Sequence, residues 1–96
     1  MDLLWLHQGQ HFVWNKEKAA ANLKKPFEMA CEVLFDPFVR IVEASPDDEE
    51  RNAAIGLAED WTCLYVVHIL REGDAIRMIS ARPATAHERR VYEDND

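Results

Sequence analysis

The sequence predicts one small α+β domain, with two N-terminal helices on one face of an antiparallel sheet and a short C-terminal helix. Three observations predict it. Apolar residues recur at helical spacing after Pro26, and residues 61–70 are dense in β-branched and aromatic side chains. A threonine and a glutamate three apart, Thr85 and Glu88, form a capping box that opens the last segment. The chain has 96 residues, enough for one core and too few for two.

Residues 1–11 read as a leader, loose unless Leu3, Leu4, Trp5 and Leu6 find a surface to pack on. The single domain is expected over residues 12–96. Phe12-Val13-Trp14 predicts a short strand. Asn15 then stands where a helix N-cap belongs, because its side chain can accept from a free backbone N–H. The Ala-rich stretch 16–25 predicts the first helix. Pro26 suits the first position of a second helix, and Glu28 suits the positive end of its dipole. Phe27, Ala30, Cys31 and Leu34 give that helix one buried face, and Asp36-Pro37 ends it. Strands follow over 38–44, 51–57, 61–70 and 75–81. The second is the weakest, being diluted by alanines. Polar turns fall at 45–50 and at Glu72-Gly73. The last helix runs from Ala86 to about Glu93.

Eleven Lys and Arg against eighteen Asp and Glu leave a formal charge of −7. That balance opposes broad, non-specific nucleic-acid binding, which depends on cations neutralising phosphates. No apolar run approaches the roughly 20 residues of a membrane span. Met1 to Leu6 lacks the basic segment of a secretory signal, so a cytoplasmic location is expected. Cys31 and Cys63 give no disulfide framework, and the four histidines are scattered, so no metal or other cofactor is expected. Both cysteines read as core residues.

A tight turn at Glu72-Gly73 would pair His68 with Arg77. Cys63, Tyr65, Val67, Ile69, Ile76 and Met78 would then form the core face. His68 and Arg77 would sit side by side on the other, about 5 Å apart at Cβ. Five of the eleven basic residues are arginines after position 70: Arg71, Arg77, Arg82, Arg89 and Arg90. Arginine suits bidentate phosphate recognition. Glu88, Arg89 and Tyr92 share helical spacing. Together His68, Arg77, Arg82, Glu88, Arg89 and Tyr92 supply the groups for metal-free phosphodiester cleavage. One group takes the 2′-hydroxyl proton, one protonates the leaving 5′-oxygen, and cations stabilise the charge on phosphorus. Arg77, Arg82 and Arg89 would form a positive patch. The plainer reading is structural: a strand arginine commonly pairs with a carboxylate, here Glu43 or Glu88, and a sheet histidine is commonly packed.

The chain resembles the BrnT toxins. Phe12-Val13-Trp14-Asn15 with Asn22-Leu23-Lys24-Lys25 is similar to their opening, and Glu49-Glu50-Arg51 before Ala54-Ile55-Gly56 to their E-x-R…I-G strand. The most specific block is Ile76-Arg77-Met78-Ile79-Ser80-Ala81-Arg82, then Ala84-Thr85, Glu88-Arg89 and Tyr92-Glu93. The resemblance implies a RelE-like fold and a type II toxin–antitoxin ribonuclease that cleaves RNA to inhibit translation. It implies neutralisation by a BrnA-like DNA-binding antitoxin in a hetero-oligomer. The family's functional positions fall on His68, Arg77, Arg82, Glu88, Arg89 and Tyr92, with Lys24, Lys25 and Arg51 as RNA contacts. Two family segments, a Lys-His-Gly turn and a His-Ser pair, have no counterpart here. They leave as alternative a non-enzymatic member that keeps the antitoxin-binding surface.

Overall fold

A computed structural model of the chain describes residues 2–15, 17, 27–44, 51–70 and 75–94. Among them six strands and two helices form an α+β domain. The strands are β1 (Asp2–His7), β2 (Gln10–Asn15), β3 (Arg40–Glu43), β4 (Asn52–Leu57), β5 (Cys63–Leu70) and β6 (Ala75–Pro83). The helices are α1 (Phe27–Val33) and α2 (Ala86–Glu93). Apart from Glu17, the helix expected over 16–25 lies outside the described residues, as do the turns at 45–50 and Glu72-Gly73.

The sheet order is β1-β2-β6-β5-β4-β3. The sheet is mixed rather than antiparallel, because β2 runs parallel to β6 with Phe12 opposite Ile76 and Val13 opposite Arg77. Residues 2–7, read as a leader, form an edge strand that pairs along its whole length with β2. Gln8 and Gly9 make the turn with positive φ, the left-handed region that glycine enters without a Cβ clash. Trp5 packs near Trp14 at 6.5 Å between ring centroids. The apolar run therefore does find a surface, although Leu4 and Leu6 stay exposed.

The core lies between α1 and one sheet face. Phe27, Ala30, Cys31 and Val33 of α1 meet Phe12, Trp14, Ala54, Leu64, Val66, Met78 and Ala81. The expected stripe is present, but the helix ends at Val33 and Leu34 is only partly buried. Burial, with Glu28 and Glu32 nearby, pushes the Cys31 thiol up to about 12, so this cysteine is an inert core residue as expected. The strand expected to be weak, β4, is the most enclosed: Ala53, Ala54, Ile55 and Gly56 are all buried. Its small side chains are what allow packing on both faces.

The β5–β6 register corrects the sequence reading. Leu70 pairs with Ile76, Ile69 with Arg77 and His68 with Met78, and a bulge follows between Val67 and His68. This is one residue away from the pairing expected from a tight turn. Side chains alternate with period two, so a one-residue slip moves the whole set to the other face. Leu64, Val66 and His68 thus face the core, and Tyr65, Val67 and Ile69 lie opposite. Arg77 is across from Ile69 and not beside His68. The bulge also rephases β6, so that Met78 and Ala81, three apart, are both buried.

Candidate functional site

The C-terminal half brings four of the expected residues to one end of the sheet. Thr85 caps α2: its Oγ1 accepts from Glu88 N at 3.2 Å, and Glu88 Oε1 accepts from Thr85 N at 2.8 Å. The cap fixes Glu88 where Arg82, at the end of β6, can reach it. Arg82 Nη1 and Nη2 donate to Glu88 Oε1 and Oε2, both at 2.8 Å. The guanidinium lies 4.3 Å from the centre of the Tyr65 ring, which the register places directly opposite on β5. Arg82 hydrogen bonding holds the Glu88 carboxyl below the usual range, against the upward push of burial. The same bond raises the Arg82 pKa. The pair is an ionised, pre-formed fork.

One turn further along α2, Tyr92 donates its hydroxyl to Asp36 Oδ2 at 2.6 Å. Asp36 also accepts from Leu57 N at 2.8 Å through Oδ2 and from Phe38 N at 2.9 Å through Oδ1. Burial pushes the Asp36 carboxyl up, but these three bonds outweigh it and hold it low. Burial and the adjacent Asp36 charge raise the Tyr92 pKa, so its phenol keeps its proton. Gly56 makes room for this contact. A Cβ there would lie 3.1 Å from Asp36 Oδ2 and 3.2 Å from Val33 Cγ1.

Arg89 and Tyr92 line a groove of about 430 Å³ with Trp61, Thr62, Cys63, Pro83, Ala84 and Glu93. Cys63, expected in the core, is part of this wall and half-buried. Burial raises its thiol pKa, partly offset by the Arg89 charge. The groove offers a cation at Arg89 and a neutral phenol at Tyr92, and the fork residues Arg82 and Glu88 are the chain neighbours of Pro83 and Arg89 in its wall.

The other expected residues stand apart. Arg77 donates from Nη1 and Nη2 to the Asp2 carboxylate at 3.1 Å each. Its partner is therefore on β1, not Glu43 or Glu88. Arg82 is five positions further along β6, on the order of 15 Å away. Arg77 and Arg82 are each neutralised by a carboxylate, so the three arginines do not form a single free positive patch. His68 is 3% exposed and faces the α1 side. Its Nδ1 lies 3.2 Å from the Val66 carbonyl, which fixes Nδ1 as the protonated nitrogen. Arg51 is half-buried just before β4, and its carbonyl accepts from Ala44 N. Lys24 and Lys25 lie outside the described residues. No group of three His, Cys, Asp or Glu among the described residues is placed to hold a metal.

Burial lowers the His68 pKa, partly offset by its bond to Val66. As pH falls below about 6.5, the unfolded imidazole takes a proton that the native ring resists. Stability should therefore decline from about pH 6.5 down to the lower native pKa, and His68→Gln should remove that part of the decline. Urea midpoints for both proteins across this range check it. Parallel pH profiles would show that another group sets the slope.

Sequence reading missed Asp36, Asp2, Tyr65 and Trp61. Gly56 was the available signal for Asp36, since a glycine inside a strand marks a close approach. Nothing local links Asp2 to Arg77 or Asp36 to Tyr92.

The family model described as ribonuclease toxin, BrnT, of type II toxin-antitoxin system matches residues 14–88. The class is thus that of the ribonuclease toxins of type II toxin–antitoxin systems, whose partner is an antitoxin. Within that class, the chain belongs to the BrnT family. No curated protein matches it. Strand β1 precedes the matched span, and Arg89 and Tyr92 follow it directly. No described helix is long and apolar enough to cross a membrane.

Proposed function

We propose that this chain is a cytoplasmic, RelE-like endoribonuclease that cuts RNA without a metal, stops translation, and is silenced in a hetero-oligomer by a BrnA-like DNA-binding antitoxin. Membership of the BrnT family supports the class of activity. The observation that carries the site is the groove beside the Arg82–Glu88 fork, with Arg89 and Tyr92 in its wall. An RNA phosphate entering there competes with Glu88 for the Arg82 guanidinium and is held by Arg89. The released Glu88 carboxylate takes the 2′-hydroxyl proton, and the 2′-oxygen attacks phosphorus. The bond to the 5′-oxygen breaks as Tyr92 gives that oxygen its proton. The products are a 2′,3′-cyclic phosphate and a 5′-hydroxyl. Glu88 is the better proton acceptor of the two expected, because His68 is buried on the opposite face.

The second reading is a non-enzymatic member that retains only the antitoxin-binding surface. Neutralisation of Arg77 by Asp2 and of Arg82 by Glu88 favours it. Expression of the chain without antitoxin separates the two. Growth arrest and shortened cellular RNA are expected, with cleavage by the purified protein persisting in chelator and leaving cyclic phosphate ends. Normal growth with intact RNA, at verified expression of folded protein, would decide for the second reading. Cleavage lost in chelator and restored by Mg²⁺ would overturn the chemistry.

A further inference from the structure

A second groove, of about 420 Å³, opens between the turn after α1 and the β4–β5 loop. We propose that this groove is the docking site for the antitoxin, and that its occupant is a segment with an apolar or aromatic anchor flanked by lysine or arginine. The proposal rests on the toxin reading for the identity of the partner.

Its rim is aromatic and exposed. Phe38 is 60% and Trp61 81% accessible, and both line one groove, so they expose apolar surface together rather than singly. Trp61 is also held in the left-handed region at φ 68°, a conformation that a bulky residue rarely adopts. The surrounding turn supports it: Trp61 N donates to Ala58 O at 2.9 Å, Ala58 N to Thr62 O at 3.0 Å, and Thr62 N to Asp60 Oδ1 at 3.0 Å. The backbone that carries the indole is thus pre-placed at the rim, so less of the loop has to be ordered when a partner binds. The floor is equally fixed by the three bonds to Asp36 and by Glu32 Oε1, which accepts from Glu59 N at 2.9 Å.

Charge selects the occupant. Glu32, Asp36 and Glu59 line the groove, and no lysine or arginine does among the described residues. RNA would bring its phosphates against these carboxylates, whereas a basic peptide segment complements them. Leu57, Trp61 and Tyr92 line this groove and the arginine-bearing one alike. A segment seated here therefore lies against the wall of the proposed cleavage site, and binding and inhibition become one event.

The test uses the full chain and the antitoxin encoded beside it, with Phe38→Lys and Glu59→Lys made singly and together. Neither residue has a part in the proposed cleavage. Calorimetric titration should show antitoxin affinity weakened roughly 30-fold or more in the double variant, as for a lost hot spot. Melting temperatures near the parent's would confirm that the variants fold. In cells the antitoxin should no longer rescue growth, while the free variant cleaves RNA at the parental rate. Parental affinity in the folded double variant would overturn the proposal. The titration reads binding alone, so it decides the question even if the chain proves to have no ribonuclease activity.

Discussion

Arg82→Ala and Arg89→Ala should each slow RNA cleavage by roughly 10²–10³-fold, equivalent to about 2.7–4 kcal/mol of barrier, by analogy with the loss of one oxyanion donor. The two should differ in stability. Arg82 holds Glu88 through two hydrogen bonds and lies over Tyr65, so its removal should cost about 1 kcal/mol, the upper end for a surface pair. Arg89 is exposed on α2 and its removal should leave melting unchanged within about 0.5 kcal/mol. Arg82→Lys keeps the charge but not the fork, and should recover only part of the rate. Arg90, adjacent on the helix but outside the groove, is the matched control. Cleavage rate and melting temperature measured on the same preparations separate the effects. If Arg82→Ala and Arg89→Ala fold and remain as toxic as the parent, the site is misplaced. Arg77→Ala adds a sharper comparison, because its guanidinium is engaged by Asp2 on the far side of β6 from the groove strands.

Phe27→Ala should be the most damaging single change to the fold, at about 3–5 kcal/mol. Phe27 is buried at the start of α1, with its ring 5.5 Å from that of Trp14 in an edge-to-face contact. A helix of seven residues has no stability of its own, since isolated helices shorter than about 12–15 residues are marginal in water. It is held by the face it buries, and Phe27 is the largest group on that face. A loss of this size removes a large part of the roughly 5–15 kcal/mol that a domain has. Trp61→Ala provides the contrast: it deletes a larger ring that is almost wholly in solvent, and should leave the urea midpoint near the parent's. A Phe27→Ala midpoint close to wild type would mean that α1 is not what closes the core.

The elements that the sequence made legible are those whose signals act within a turn or two. The Thr85–Glu88 capping box formed as expected because both its partners lie in one helical turn. The Phe27-Ala30-Cys31 stripe did so because helical spacing alone sets it. The pairing of β5 with β6 was not legible. It depends on the geometry of one turn and on a bulge between Val67 and His68 that no residue type announces, and the slip moved His68 from beside Arg77 into the core. The strand role of residues 2–7 was hidden because Leu3-Leu4-Trp5-Leu6 is a continuous apolar run without the period-two pattern of a half-buried strand. Within the candidate site, Glu88, Arg89 and Tyr92 were legible as one helical group. The partners that give Tyr92 and Arg77 their environments, Asp36 and Asp2, were not, because long-range pairs exist only once the topology is known.

The parallel pairing of β2 with β6 has a consequence for how the chain is made. These strands come from opposite ends of the sequence, and β2 has no other neighbour on the side away from β1. Contacts of such long sequence separation form late, because the loop they close must lose its entropy first. During synthesis the β1–β2 hairpin emerges early and waits for β6, with Met78 and Ala81 still to be supplied to the core it shares with Phe12 and Trp14. The proposed cleavage groups at Arg82, Glu88, Arg89 and Tyr92 emerge in the same final stretch. A ribosome translating this chain thus carries an unfinished sheet until β6 has been made, and the proposed toxic activity arises only with that strand and the helix after it.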